Sequence, residues 1–131
     1  MSGLLLDTSV VIAGAEGVSE ATGAGAISVV TLGELRAGVK LAREPSVRAA
    51  RQARLVAIRA TFAPLPVDEL VAVHYGDALA GARLAGRITK ATDLLILATA
   101  AATGRLLVTL DERQAGLARE LGVAVNGSSG S

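Results

Sequence analysis

With 131 residues the chain suits one core and is too short for two ordinary domains, and a net charge of +1, from 13 Lys and Arg against 12 Asp and Glu, rules out strong global attraction to a nucleic acid. Phe62 and Tyr75 are the only aromatic residues, which argues against stacked aromatic platforms for bases, and Trp is absent. The absence of Cys removes disulfides, thiolate nucleophiles and thiolate metal sites, and a single histidine, His74, argues against zinc.

In chain order, residues 3 to 6 read as a buried strand that Asp7 stops, with neither the basic flank nor the apolar length of a signal peptide. A short helix is expected from about Ser9 to Ala15, then a Gly-rich connection and a second strand at Ala26 to Val30. Thr31 opens a helix to about Arg43, Pro45 breaks it, and an Arg- and Ala-rich helix runs from about Ser46 to Thr61. Pro64 and Pro66 bracket a short extended piece. Asp68 caps a helix to about Ala85 that Gly86 ends, and a buried helix follows from about Asp93 to Thr103 with Gly104 as its stop. Residues 105 to 109 make another strand, Glu112 to Leu121 the last helix, and Val123 to Val125 close the list.

Short apolar strands alternating with helices predict an α/β domain with a mainly parallel sheet, and ligands of such sheets gather at the carboxyl ends of the strands. The domain is expected to span residues 1–125, with 126–131 read as a flexible tail of linker composition or a remnant of expression. The run from Leu94 to Ala102 is too short to cross a bilayer and contains Thr99, so no membrane partner and a cytoplasmic setting are expected.

Four of the twelve acids stand apart. Asp7 follows Leu4-Leu5-Leu6 and precedes Val10-Val11-Ile12, at the end of a buried strand, where an unpartnered carboxylate is costly. Glu34 has Ala37 and Gly38 at i+3 and i+4 and so no helical ion-pair partner there. Asp93 opens an apolar helix, and Asp111 follows the strand Leu106-Leu107-Val108. Such groups repel one another unless a cation neutralises them, and hard oxygen donors select Mg²⁺ or Mn²⁺. That is the chemistry of phosphodiester cleavage, which needs no histidine or nucleophilic side chain. Each acid also has a plainer reading at a helix start: Thr31-x-x-Glu34 fits a capping box, and Asp7, Asp93 and Asp111 could each begin or cap a helix.

The segments around the four acids resemble the PIN-domain nucleases, most closely the toxin half of VapBC-type toxin–antitoxin pairs. They are Leu6-Asp7-Thr8-Ser9-Val10-Val11-Ile12, Thr31-Leu32-Gly33-Glu34-Leu35-Arg36-Ala37-Gly38, Asp93-Leu94-Leu95-Ile96-Leu97-Ala98-Thr99-Ala100 and Leu107-Val108-Thr109-Leu110-Asp111. They occur in order across positions 4 to about 125, and four in sequence are more specific than any one. The resemblance implies a three-layer α/β/α domain, and a metal-dependent ribonuclease with Asp7, Glu34, Asp93 and Asp111 gathered around Mg²⁺ or Mn²⁺. Asp7 and Asp93 are implied as direct ligands, Glu34 as a direct or water-bridged one that orients the attacking water, and Asp111 as completing a second metal position. Thr8, Ser9 and Thr109 are candidates for supporting hydroxyls. The implied partners are an RNA substrate, a cognate antitoxin protein and a second copy in a homodimer. Two departures are visible: Thr92 precedes the third acid where the family often has Asn or Asp, and Arg113-Gln114 follows the fourth where it often has Phe.

Basic residues supply candidate RNA contacts. Arg36, Lys40 and Arg43 share one arc of their helix, while Arg48, Gln52 and Arg59 fall within about 40° on the next. Leu55 lies in that second arc, hinting at a covered surface and hence a dimer or antitoxin contact. Arg83, Arg87 and Lys90 precede the third motif. A basic arc is more often a solvated face than a binding site. Other chemistries fit less well. A haloacid dehalogenase-type phosphatase would need a second Asp where Ser9 stands, and a phosphoacceptor receiver domain an acidic pair and a later Lys placed otherwise. Another metal-dependent phosphohydrolase or a catalytically silent PIN-like binding module are the alternatives. Gly23-Ala24-Gly25 lacks the third glycine and preceding strand of a dinucleotide loop.

Overall fold

The structure, a computed structural model, describes residues 3–14 and 25–126. Ala15 and the Gly-rich connection up to residue 24 lie outside the described residues. Strand β1 (Leu4–Leu6) leads into helix α1 (Thr8–Ala13), and strand β2 (Gly25–Ser28) into helix α2 (Val29–Leu41). Helix α3 (Pro45–Thr61) follows, then strand β3 (Ala63–Leu65), helix α4 (Glu69–Leu84), helix α5 (Ala91–Thr103), strand β4 (Leu106–Val108) and helix α6 (Glu112–Glu120).

The four strands form one sheet in the order β3-β2-β1-β4, and every pairing is parallel. Val125 adds a parallel bridge to Leu107 beyond β4. Both faces of the sheet are covered, as the uninterrupted apolar strands require. The twofold alternation of side chains sends Leu5, Ala26 and Leu107 to one face, where they pack with Leu94, Leu97, Ala100, Leu117 and Ala118 of α5 and α6. Leu6, Ile27 and Val108 go to the other and meet Val10, Val11 and Ile58 of α1 and α3. This is the expected three-layer α/β/α arrangement. Proline is tolerated in β3 because that strand is at the edge of the sheet.

Several expected boundaries shift for identifiable reasons. Val29 and Val30 belong to α2 and not to β2, because Ser28 Oγ accepts the Val30 N–H at 3.0 Å and caps the helix there. Thr31 therefore sits inside α2, fully buried, and the capping box with Glu34 does not form. Asp93 is likewise not a cap: α5 starts two residues earlier, after Lys90. Gly104 ends α5 as expected, in the left-handed region at φ 65° that glycine adopts without strain. Asn126, assigned to the tail by composition, is tied into the fold. Its N–H donates to the Leu107 carbonyl at 2.9 Å, and its Oδ1 accepts the Thr109 N–H at 2.8 Å.

The basic arcs are partly spent on structure. Arg48 donates to the Ala42 carbonyl at 2.7 Å and Arg51 to the Gly38 carbonyl at 2.8 Å, so both cover the orphan acceptors at the end of α2. Leu55 is covered by its own chain and retains only 8% exposure. The expectation that it meets a partner is thereby corrected: its place in the arc reflects packing of α3. Leu55→Ala is expected to cost about 2–4 kcal/mol of unfolding free energy in urea denaturation.

Candidate functional site

The topology carries all four acids to one edge of the sheet. Asp7 directly follows β1, and Asp111 stands three residues after β4. Glu34 lies in the second turn of α2, which leaves the carboxyl end of β2 without a linker. Helix α5 must run back across the sheet to deliver β4 to its amino edge, so its first turn, with Asp93, lies at the carboxyl edge. The convergence has an electrostatic signature. Burial first, and then the charge of Asp7, raise the pKa of the Asp93 carboxyl above the ordinary carboxylate range. Asp111 and Glu34 push in the same direction, and Lys90 opposes them.

Hydroxyls hold two of the acids. Asp7, only 4% exposed, accepts Ser9 Oγ at 2.7 Å and Thr109 Oγ1 at 2.8 Å, both on Oδ2. Each hydroxyl has one proton and spends it on Asp7, so their mutual approach at 3.3 Å is proximity alone. As acceptors, the same oxygens take the N–H groups of Leu110 and Asp111, both at 3.0 Å. The β4–α6 connection is thereby pinned to the start of α1. The Ser9 N–H, at 3.4 Å, also addresses Oδ2, so all three of these donors meet on one carboxylate oxygen. A second relay serves Glu34. Thr8 Oγ1 gives its proton to Glu34 Oε1 at 2.6 Å and so receives the Thr31 hydroxyl at 2.9 Å. Thr31 was not singled out from the sequence, where it read as a helix cap. Asp111 does cap α6, accepting the N–H groups of Arg113 at 2.9 Å and Gln114 at 3.5 Å on Oδ1.

Thr109→Val, which keeps the shape and removes the donor to Asp7, is expected to weaken metal affinity or activity about 10–100-fold. It should also cost about 1–3 kcal/mol of stability at neutral pH, since a buried carboxylate loses a partner. Calorimetric titration with Mn²⁺ and urea denaturation check the two effects.

A cavity of about 350 Å³ opens beside two of the acids, lined by Asp93 and Asp111 together with Arg87, Lys90, Arg113 and Gln114. Arg87 also pairs with Glu120. Of the basic candidates, Arg87 and Lys90 thus reach the acids' neighbourhood, whereas Arg83 is in the last turn of α4 and does not line the cavity. Arg36 lines a separate groove of about 380 Å³ with Leu32, Gln52, Leu55, Val56 and Arg59, and Lys40 is exposed in the last turn of α2. Arg113 and Gln114 were visible in the sequence only as a departure from the resembled motif.

Among the described residues, no three acidic or histidine side chains are drawn tightly enough to enclose an ion. Such an open arrangement suits Mg²⁺, which is commonly bound by one or two carboxylates, waters and substrate phosphates in place of an all-protein cage. The donor set of hard oxygens, without thiolate or histidine at the site, fits Mg²⁺ or Mn²⁺.

Comparison with known proteins gives a consistent picture. A family profile described as PIN domain matches residues 4–120. Ribonuclease VapC8 of Mycobacterium tuberculosis is 40% identical over 100 residues, which cover 73% of this chain and 88% of that protein. Ribonuclease VapC5 of the same organism is 38% identical over 117 residues, 86% of each chain. Among solved structures, VapBC-5 from Mycobacterium tuberculosis, a member of the VapBC family of toxin–antitoxin systems, superimposes with a TM-score of 0.77 at 32% identity, covering 98% of this chain and 94% of that one. DNA-bound VapBC from Salmonella typhimurium shares the fold, with a TM-score of 0.81 at 23% identity over 96% and 98% of the two chains.

Proposed function

The chain belongs to the PIN-domain family, and from that premise we propose that it is a Mg²⁺- or Mn²⁺-dependent ribonuclease, the toxin of a toxin–antitoxin pair. The observation that carries the metal-dependent reading is the gathering of four carboxylates at the carboxyl edge of the sheet, with Asp93 pushed up first by burial and then by the charge of Asp7. Carboxylates gathered there suit a cation, for which a silent binding module would have no use.

Asp7 and Asp93 are assigned to hold the ion, with Glu34 and Asp111 completing the acidic edge. A bound ion supplies a polarised phosphodiester, activation of water and stabilisation of the leaving oxygen. The remaining work falls to the chain. Ser9 and Thr109 fix the orientation of Asp7 by donating to its Oδ2. Thr8 fixes Glu34 through Oε1, leaving Oε2 to orient the attacking water and take its proton. Arg87, Lys90 and Arg113, around the cavity beside Asp93, attract the RNA phosphates, and Arg36 and Lys40 extend that attraction along α2.

The antitoxin assignment rests on the relatives' assembly as VapBC complexes. A homodimer has a candidate surface on α4, where Leu70, Val73 and Leu84 are exposed and fall within about 60° of one another. No helix among the described residues is long and apolar enough to cross a membrane.

Cleavage of RNA is expected in Mg²⁺ or Mn²⁺, and a loss of about 10³-fold or more in EDTA or in Asp7→Ala. Cleavage that persists under both conditions would overturn the mechanism. Expression of the wild type should arrest growth, with rescue by a co-expressed partner protein; harmless expression would remove the toxin assignment. Sedimentation of wild type and Val73→Arg tests the dimer, which the variant should dissociate.

A further inference from the structure

We propose that Gln114 is a positioning residue of the acidic site, locking the helix starts that carry Asp93 and Asp111 to each other; this rests on the metal-dependent reading above. Gln114 is the one polar member of the buried stripe Gln114, Ala115, Leu117 and Ala118 of α6, and is 2% exposed. Its side-chain Nε2 donates to the backbone carbonyl of Asp93 at 2.9 Å, across 21 residues of sequence. Its own N–H points to Asp111 Oδ1 at 3.5 Å. One residue therefore contacts both acidic residues, from its two ends. The tie at Asp93 is made to the main chain, so it restrains where the first turn of α5 stands without occupying the carboxylate.

The other end of the amide shows that packing alone does not account for the residue. Gln114 Oε1 is buried with no hydrogen-bond partner among the described residues. A buried carbonyl oxygen left in that state is destabilising, and buried polar groups are ordinarily satisfied. An unbranched apolar side chain such as Met fills similar volume, leaves no orphan oxygen, and gives up only the tie to Asp93. The carbonyl it would release already faces the N–H four residues on in α5, so it keeps a partner. Removing the tie should loosen the register between the two helix starts, and with it the placement of Asp93 relative to Asp111. Groups that orient ligating residues from behind typically alter metal affinity or activity by about 10–100-fold.

The test uses the full chain and Mn²⁺ as the probe. By calorimetric titration, Gln114→Met is expected to weaken Mn²⁺ binding by about 10-fold or more. Its melting temperature in EDTA should equal or exceed that of the wild type. The RNA cleavage rate of the variant should recover as Mn²⁺ is raised, a response that a simple packing defect would not give. If Gln114→Met melts below the wild type, Gln114→Leu is measured by the same criteria. Mn²⁺ affinity within twofold of the wild type, or a depressed rate that excess Mn²⁺ fails to restore, overturns the assignment. A wild type that neither binds Mn²⁺ nor cleaves RNA would instead overturn the functional reading beneath it.

Discussion

Asp93→Asn is expected to lower RNA cleavage by about 10³-fold or more while leaving the metal-free protein at least as stable as the wild type at neutral pH. The loss follows from removing a charged ligand, an effect of several kcal/mol on transition-state charge, at about 1.4 kcal/mol per factor of ten. The stability effect follows from the raised pKa of Asp93, caused first by burial and then by Asp7. The folded chain binds that proton more tightly than the unfolded chain does. At low pH both states are protonated and Asp93 carries no penalty. As the pH rises through the unfolded and then the folded value, the unfolded state ionises first, and folding weakens until the folded pKa is passed. At neutral pH the full penalty is present, and Asn removes it. Melting curves in EDTA should therefore show Asp93→Asn equal to or above the wild type at pH 7, the difference shrinking on acidification. Wild-type Mn²⁺ binding should weaken on the same acidification, because protons compete for the carboxyl. Unimpaired cleavage by the variant would remove Asp93 from the site, and a variant that melts well below the wild type would show that its carboxylate stabilises the fold.

Leu107→Ala should be among the most damaging changes to the fold. Leu107 has 0% exposure, pairs with Leu5 of β1, bridges to Val125 and packs in the larger of the two core clusters. Truncation leaves a cavity that flanking strands cannot close without breaking their ladders, so a loss of about 3–5 kcal/mol is expected. For a domain of this size that corresponds to a fall in melting temperature of roughly 10–20 °C. Leu41→Ala is the control: at 75% exposure it should change stability by less than about 0.5 kcal/mol. A Leu107→Ala variant that melts like the control would mean that β4 does not hold the sheet together. Because Thr109 and Asp111 follow β4 directly, activity should fail at the lowered melting temperature and not before it.

The apolar strands, the helix signals and the positions of the four acids are local patterns, and the sequence by itself determined them. A run such as Leu4-Leu5-Leu6 between breakers is a buried strand in most contexts, and Gly104 after an apolar helix ends it for a local reason. It also determined that the site must work with oxygen donors, since there is no Cys and only one His. Which acids cap helices was not decidable at that level. Asp111 does cap α6, whereas Thr31, Glu34 and Asp93 do not cap, because Ser28 and Lys90 start their helices earlier. A cap depends on where the neighbouring strand ends, and that is settled by the sheet. The burial of Leu55, the bond from Arg48 to the end of α2, and the attachment of Asn126 to β4 were hidden for the same reason: each depends on an element distant in sequence or on the exact end of another. Tertiary structure alone decided the Thr109 tie to Asp7, the hydroxyl relay to Glu34 and the Gln114 tie to Asp93, since each joins residues 21 or more apart. The four acids were therefore legible one at a time, but their gathering, and with it the case for a cation at that edge, exists only once the parallel sheet has brought its carboxyl edge together.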